Sequence, residues 1–316
     1  MNDKTDQTQS DVEYLLAADK QQIERRMDLS ILQAYRDAGS SIRTVRSNVI
    51  ENWKSDEKLG PLSLSMIEGF SLIDADEDQR ATRSLADYWF EYFMMPSMNL
   101  GQVRDYHLAI RQTYDLHVEL SQAELTGPLV IETCHHACVF SLCYALLSQE
   151  LKSKYDFDRV VLVHLRDPID PRLAGLQALS QMLAGIECIC IQMTDGWLNE
   201  LSQAMDGNSI LVYFGDMPKK LFSAKQRGKR AAAQLRIYAT NDAEIELESV
   251  SIASTLARRF KALHYTLDFP AINRARFREA RKNQPITCLA ADWIFWPAIA
   301  DWYNVSPTDS SSASSE

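Results

Sequence analysis

Apolar positions change their spacing partway along this chain. Through residues 12–125 they recur at helical intervals, so Val12–Arg26, Leu29–Asn52, Asp74–Met95 and Gln102–Ala123 each read as helices. The third opens on acids and stops at Pro96, as expected where acidic side chains complement the N-terminal dipole and proline ends the run. Its Tyr88, Trp89, Phe90, Tyr92 and Phe93 form an aromatic cluster of the kind that packs a core or an interface. After Gly127-Pro128 the pattern becomes short runs rich in Val and Ile: Leu129–Thr133, Val160–Leu165, Cys188–Gln192 and Ile210–Phe214. Helical stretches at Cys138–Lys152, Pro171–Ala184 and Trp197–Met205 separate them. Strands alternating with helices of this length predict βαβ units and a parallel sheet buried on both faces. Further on, Gln234–Tyr238, Glu244–Leu247 and Ala262–Phe269 read as strands, and Ser249–Phe260, Arg274–Arg281 and Trp293–Tyr303 as helices.

The expected architecture is α/β, with a mostly parallel central sheet, helices on both faces and a helical N-terminal layer. Residues 1–12 and the Ser-rich tail 306–316 are expected to be disordered, because neither can bury apolar surface. Residues 13–125 form the helical layer and 126–305 the α/β core.

Composition narrows the setting. With 316 residues, 46% of them hydrophobic and 24% charged, the chain is globular and large enough to bury a core unaided. Its six cysteines lie in apolar strings, and residues 1–20 hold no apolar leader, so the thiols read as reduced in a cytoplasmic protein. No window approaches the roughly 18 apolar residues of a membrane span. The Trp293–Trp302 segment leaves peripheral contact with the inner face of a membrane open. The net charge is −10, yet residues 219–282 carry 15 of the 33 Lys and Arg and only six acids. Such a block reads either as a local anion site or as a solvated face. Nucleic acid is not expected as a partner, since no recognition motif accompanies the charge.

Open α/β sheets bind ligands beyond the carboxyl ends of their strands. Polar residues stand directly after each predicted strand: Cys134-His135-His136, Arg166-Asp167-Pro168, Met193-Thr194-Asp195 and Gly215-Asp216-Met217-Pro218. His136 stands at a predicted helix start, where the dipole disfavours the imidazolium, so a neutral ring there suits a general base. The bland alternative is that one of the two adjacent histidines is structural. Glu132 lies four residues before His136, roughly 13 Å along an extended strand, too far for a direct hydrogen bond. Asp216 reaches His136 if its strand is adjacent, and is the preferred orienting acid. Cys134, His135, His136, Cys138 and Cys143 are dense in soft ligands, but their spacing fits no zinc pattern, and no metal is expected.

The order Val130-Ile-Glu-Thr-Cys-His-His, Val161-Leu-Val-His-Leu-Arg-Asp-Pro and Asp206-Gly-Asn-Ser-Ile-Leu-Val-Tyr-Phe-Gly-Asp resembles the lysophospholipid acyltransferase superfamily. The branch it looks most like is the bacterial lipid A biosynthesis (lauroyl/myristoyl) acyltransferases, over about residues 100–303. That resemblance implies transfer of an acyl group from a coenzyme A or acyl carrier protein thioester to a hydroxyl or amine, in lipid or specialised-metabolite biosynthesis. It implies no bound cofactor. In the family a histidine and an acid, with four residues between them, form the catalytic pair. His136 takes the histidine's place, while Ser141 stands where the acid belongs, and the same count from His135 reaches Phe140. The resemblance therefore assigns catalysis to His136, Asp216 and Ser141. Substrate binding falls to His135, Arg166, Lys219, Lys220, Lys225 and Arg227, the cations facing a thioester donor, carrier protein or lipid phosphate. The missing acid keeps a second expectation alive: a catalytically inactive relative that binds an acyl carrier or partner protein.

Overall fold

The computed structural model describes residues 41–55, 64, 70, 72–115, 117–120, 125–164, 186–216, 231–239, 243–281, 284–294 and 296. The helices are α1 (Ile42–Ser55), α2 (Ala75–Met94), α3 (Leu100–Tyr114), α4 (Val139–Ala145), α5 (Trp197–Ala204) and α6 (Ala253–Phe260). A wider turn at Leu146–Leu151 extends α4. Local chemistry accounts for the starts. Asp74 caps α2 by accepting from the Glu77 amide, with Asp76, Glu77 and Asp78 in the first turn. Asn99 and Gln102 close a reciprocal capping box on α3.

Ten strands among the described residues make one sheet. They are β1 (His117–Leu120), β2 (Leu129–Thr133), β3 (Arg159–His164), β4 (Glu187–Gln192), β5 (Ser209–Phe214), β6 (Ala231–Tyr238), β7 (Glu244–Ser251), β8 (Leu263–Ala271), β9 (Arg274–Glu279) and β10 (Ile286–Leu289). The order is β4-β3-β5-β2-β8-β10-β6-β7, with β9 between β8 and β1. All pairings are parallel except β6 with β7 and β8 with β9. The α/β class and mostly parallel sheet are as the pattern predicted.

Alternation splits the core. Leu129, Ile131, Leu162, Val212 and Leu267 pack into one cluster with Phe90, Tyr106, Ile110 and Leu142 from α2–α4. Val130, Val161, Leu211 and Tyr213 point to the other face, against Leu201 of α5 and Leu256 of α6. β2 is buried along its whole length, between β5 and β8.

Three elements depart from expectation. The helix predicted over Gln102–Ala123 ends at Tyr114, because Asp115 turns left-handed (φ 37) and β1 follows. Arg274–Arg281 is not helical: Ala275 and Phe277 alternate with arginines, so one face of a strand is buried. Ser249–Ser251 belong to β7, and α6 begins only at Ala253. The predicted helices Val12–Arg26 and Pro171–Ala184, and most of Trp293–Tyr303, lie outside the described residues; Trp293 itself is extended. No helix among the described residues is long and apolar enough to cross a membrane.

Candidate functional site

The parallel β2–β5 ladder runs one residue past the strand ends, where the Gly215 amide donates to the Thr133 carbonyl at 2.9 Å. That bond sets the loop after β5 directly beside the loop after β2. Asp216 consequently faces His135. Its Oδ1 lies 2.7 Å from His135 Nδ1, and its Oδ2 accepts the His135 amide at 2.7 Å and the Trp293 indole N–H at 2.8 Å. Burial alone would raise the Asp216 pKa, but the His135 ring, its amide and the indole together hold it below the usual aspartate value. An ionised, acceptor-only carboxylate requires Nδ1 to carry the proton. The basic nitrogen of this imidazole is then Nε2. The ring stacks on Phe214 at 4.3 Å between centroids, and its side chain is 19% exposed, against 0% for Asp216.

His136 occupies a different environment. It is 1% exposed, with its ring against Phe269 (4.4 Å) and edge-on to Tyr114 (5.5 Å). The Cys138 amide donates to its Nδ1 at 3.3 Å, which places the proton on Nε2, 3.7 Å from Asp292 Oδ2. Asp292 is held by the Arg80 guanidinium (2.7–3.1 Å) and by the Ser84 hydroxyl at 2.8 Å. Burial pushes its pKa up, yet His136 and Arg80 win and keep it well below the usual range. Ser84 also contacts Tyr114, whose hydroxyl donates to Asp87, itself forked by Arg46. This buried network runs from α1 through α2 and α3 to the turn after β10.

The expectations of the sequence are corrected accordingly. His136 was the expected base, with Asp216 as its orienting acid; Asp216 instead binds His135, and His136 is buried with a second carboxylate. The physical reason is the turn at Cys134–Ala137, where the His136 amide bonds back to the Cys134 carbonyl and sends adjacent side chains apart. His135, expected only to help bind substrate, is the histidine in the dyad. Ser141 does not approach either imidazole's carboxylate; its hydroxyl donates to Glu91 at 2.7 Å in the α2–α4 interface. Arg166, Lys219, Lys220, Lys225 and Arg227 lie outside the described residues. Among the described cations of the basic stretch 219–282, Arg236 pairs with Glu246 at 3.1 Å, Arg274 with Glu119 at 2.9 Å, and Arg276 and Arg278 with Asp268 at 3.1 and 2.6 Å. Among the described residues no three His, Cys, Asp or Glu side chains converge as metal ligands.

Two site residues escaped the sequence reading. Trp293 and Asp292 come from 157 or more positions downstream of His135, and the segment docks by an antiparallel bridge, His136 to Trp293, and by the Ile294 amide to the His135 carbonyl. No local pattern around either histidine announces them. A cavity of about 280 Å³ lies between α3, α4 and β8, lined by Leu142, Ala145, Leu146, Leu267 and Phe269 together with Arg111 and Asp115.

Comparison with protein-family models finds no match for this chain, and comparison with curated proteins finds none.

Proposed function

We propose that the chain is an acyltransferase in which His135, oriented by Asp216, is the general base. An acceptor hydroxyl or amine gives its proton to Nε2 as its oxygen or nitrogen bonds to the carbonyl carbon of an acyl thioester. The carbon–sulfur bond then breaks, and the imidazolium returns the proton to the departing thiolate. Asp216 fixes the ring's tautomer and stabilises the imidazolium, the role a buried carboxylate plays in hydrolytic triads. The observation that carries the reading is the 2.7 Å carboxylate–imidazole pair at the carboxyl edge of a parallel sheet. The cavity between α3, α4 and β8 adds support, since its mostly apolar wall could take an acyl chain. The donor in this reading is a coenzyme A or carrier-protein thioester, and the acceptor a small hydroxyl or amine.

The rival reading is a carrier-binding relative without turnover, in which the dyad holds the loop after β2 in place. The triple use of Asp216, on ring, amide and indole, favours it to that extent. The two separate in one assay. The full chain is incubated with acyl-coenzyme A and acyl carrier protein thioesters of graded length, and thiol release is followed with and without candidate acceptors. Transfer by wild type that falls about 10³-fold or more in His135→Ala, with His136→Gln retaining more activity than His135→Ala, supports catalysis. Binding of thioesters without any thiol release by wild type gives the site to the rival.

A further inference from the structure

The acyl-transfer reading gives no role to the six free cysteines, and two of them differ from the rest. Cys134, Cys138, Cys143 and Cys288 are buried, and burial pushes all four thiols up. Cys188 and Cys190 of β4 are half-buried. They stand in register with Val160 and Leu162 of β3, and all four side chains meet the cluster of the helical layer. Ile189 and Ile191 point to the other face, so the two sulfurs lie side by side along one strand.

The two thiols touch. They share a hydrogen bond that raises the Cys188 pKa and lowers that of Cys190, while burial raises both. Cys188 is therefore the donor, and Cys190 carries the thiolate, the form that attacks disulfides. Cα atoms two positions apart on a strand are separated by about 6.6 Å, which is inside the roughly 4.4–6.8 Å that a disulfide spans but at its long end. A bridge there is strained and easily reduced. β4 ends the sheet and pairs only with β3 among the described residues, so it can pucker without breaking a second ladder. Cys134 and Cys288 also share a hydrogen bond, but both are 0% exposed and closed to an oxidant in the folded chain.

We infer that Cys188 and Cys190 form a redox-active dithiol, oxidised to an intramolecular disulfide by small-molecule disulfides of the glutathione class. The Cys190 thiolate attacks one sulfur of the small disulfide, whose S–S bond breaks and releases one thiolate. The Cys188 sulfur then attacks Cys190, expels the second thiolate and gives up its proton. The dithiol is oxidised by two electrons, and the small disulfide is reduced to two thiols that take up the two protons. None of this depends on acyl transfer.

The test incubates the full folded chain with oxidised glutathione, quenches with acid, alkylates the remaining thiols and maps the peptides by mass spectrometry. Wild type should lose two hydrogens, and the peptide carrying Cys188 and Cys190 should be the one that resists alkylation. An excess of reduced glutathione should restore both thiols. Cys188→Ser lacks the resolving sulfur and should stop with one glutathione on Cys190, while Cys190→Ser should react more slowly than Cys188→Ser. His135→Ala should oxidise as wild type does. The assignment is overturned if both thiols of wild type stay open to alkylation, if the bridge joins other cysteines, or if wild type retains the mixed disulfide. Peptide mapping of wild type decides these outcomes without relying on the folding of any variant.

Discussion

Gly215 sits where a side chain cannot. A Cβ built on it would lie 2.2 Å from Glu132 Oε1, 2.8 Å from Cγ and 2.9 Å from Cδ. Its φ is not among the positive values, so the demand for glycine is steric and not conformational. Comfortable carbon contacts are about 3.5–4.0 Å. Gly215→Ala must therefore move Glu132 by roughly an ångström, or push back the backbone that carries Asp216. Glu132 is buried and tied to His264 at 3.1 Å, so it has little room to give. Overpacking of this kind costs about 1–3 kcal/mol, and losing the Glu132–His264 contact adds about 1 kcal/mol. We expect Gly215→Ala to destabilise by about 2–3 kcal/mol in urea titration. In a Glu132→Ala background the same change should cost much less, giving an interaction energy of about 2 kcal/mol in the double-mutant cycle. Additivity of the two substitutions to within about 0.5 kcal/mol would show that the clash is not what excludes a side chain at 215.

Buried charges set the other expected outcomes. Burial first, and Arg111 second, lower the His107 pKa from 6.5 to about 4. The unfolded chain then binds a proton that the folded one refuses, so stability should rise with pH between about 4 and 6.5 and be flat above. A melting-temperature series should show that slope, and His107→Phe should lose it; an unchanged slope in the variant refutes the assignment. Arg80→Met strips the main cation from buried Asp292 and should cost about 3 kcal/mol in denaturant unfolding, as breaking a buried pair does. A loss below about 1 kcal/mol would mean that Ser84 and His136 alone suffice.

Much of the sheet is legible from residue spacing alone. A parallel strand buried on both faces must be a short continuous apolar run, and Leu129–Thr133, Arg159–His164 and Ser209–Phe214 are of that kind, while Glu187–Gln192 has a similar run but lies half-exposed at the sheet edge. Their common direction delivers the loops after β2 and β5 to one edge, and the adjacency of the two strands in the folded sheet then lets a histidine and Asp216 meet. β9 was readable too, since Ala275 and Phe277 alternate, but the arginine-rich run resembles an exposed helix equally well. β10 is only four residues long, too short for any period to show.

Which of two adjacent histidines meets the acid was decided by the tertiary structure. A single turn at Cys134–Ala137 turns one ring toward Phe214 and Asp216 and buries the other against Phe269. The Asp292 carbonyl and the Ile294 amide, far away in sequence, hold this turn, the Trp293 indole holds Asp216, and the Asp292 carboxylate in turn rests on Arg80 and Ser84 of the helical layer. Periodicity records how each segment divides its own residues between core and surface. It carries no information about which distant donor will satisfy a given carboxylate, because that choice is made only when the packed elements bring their ends together.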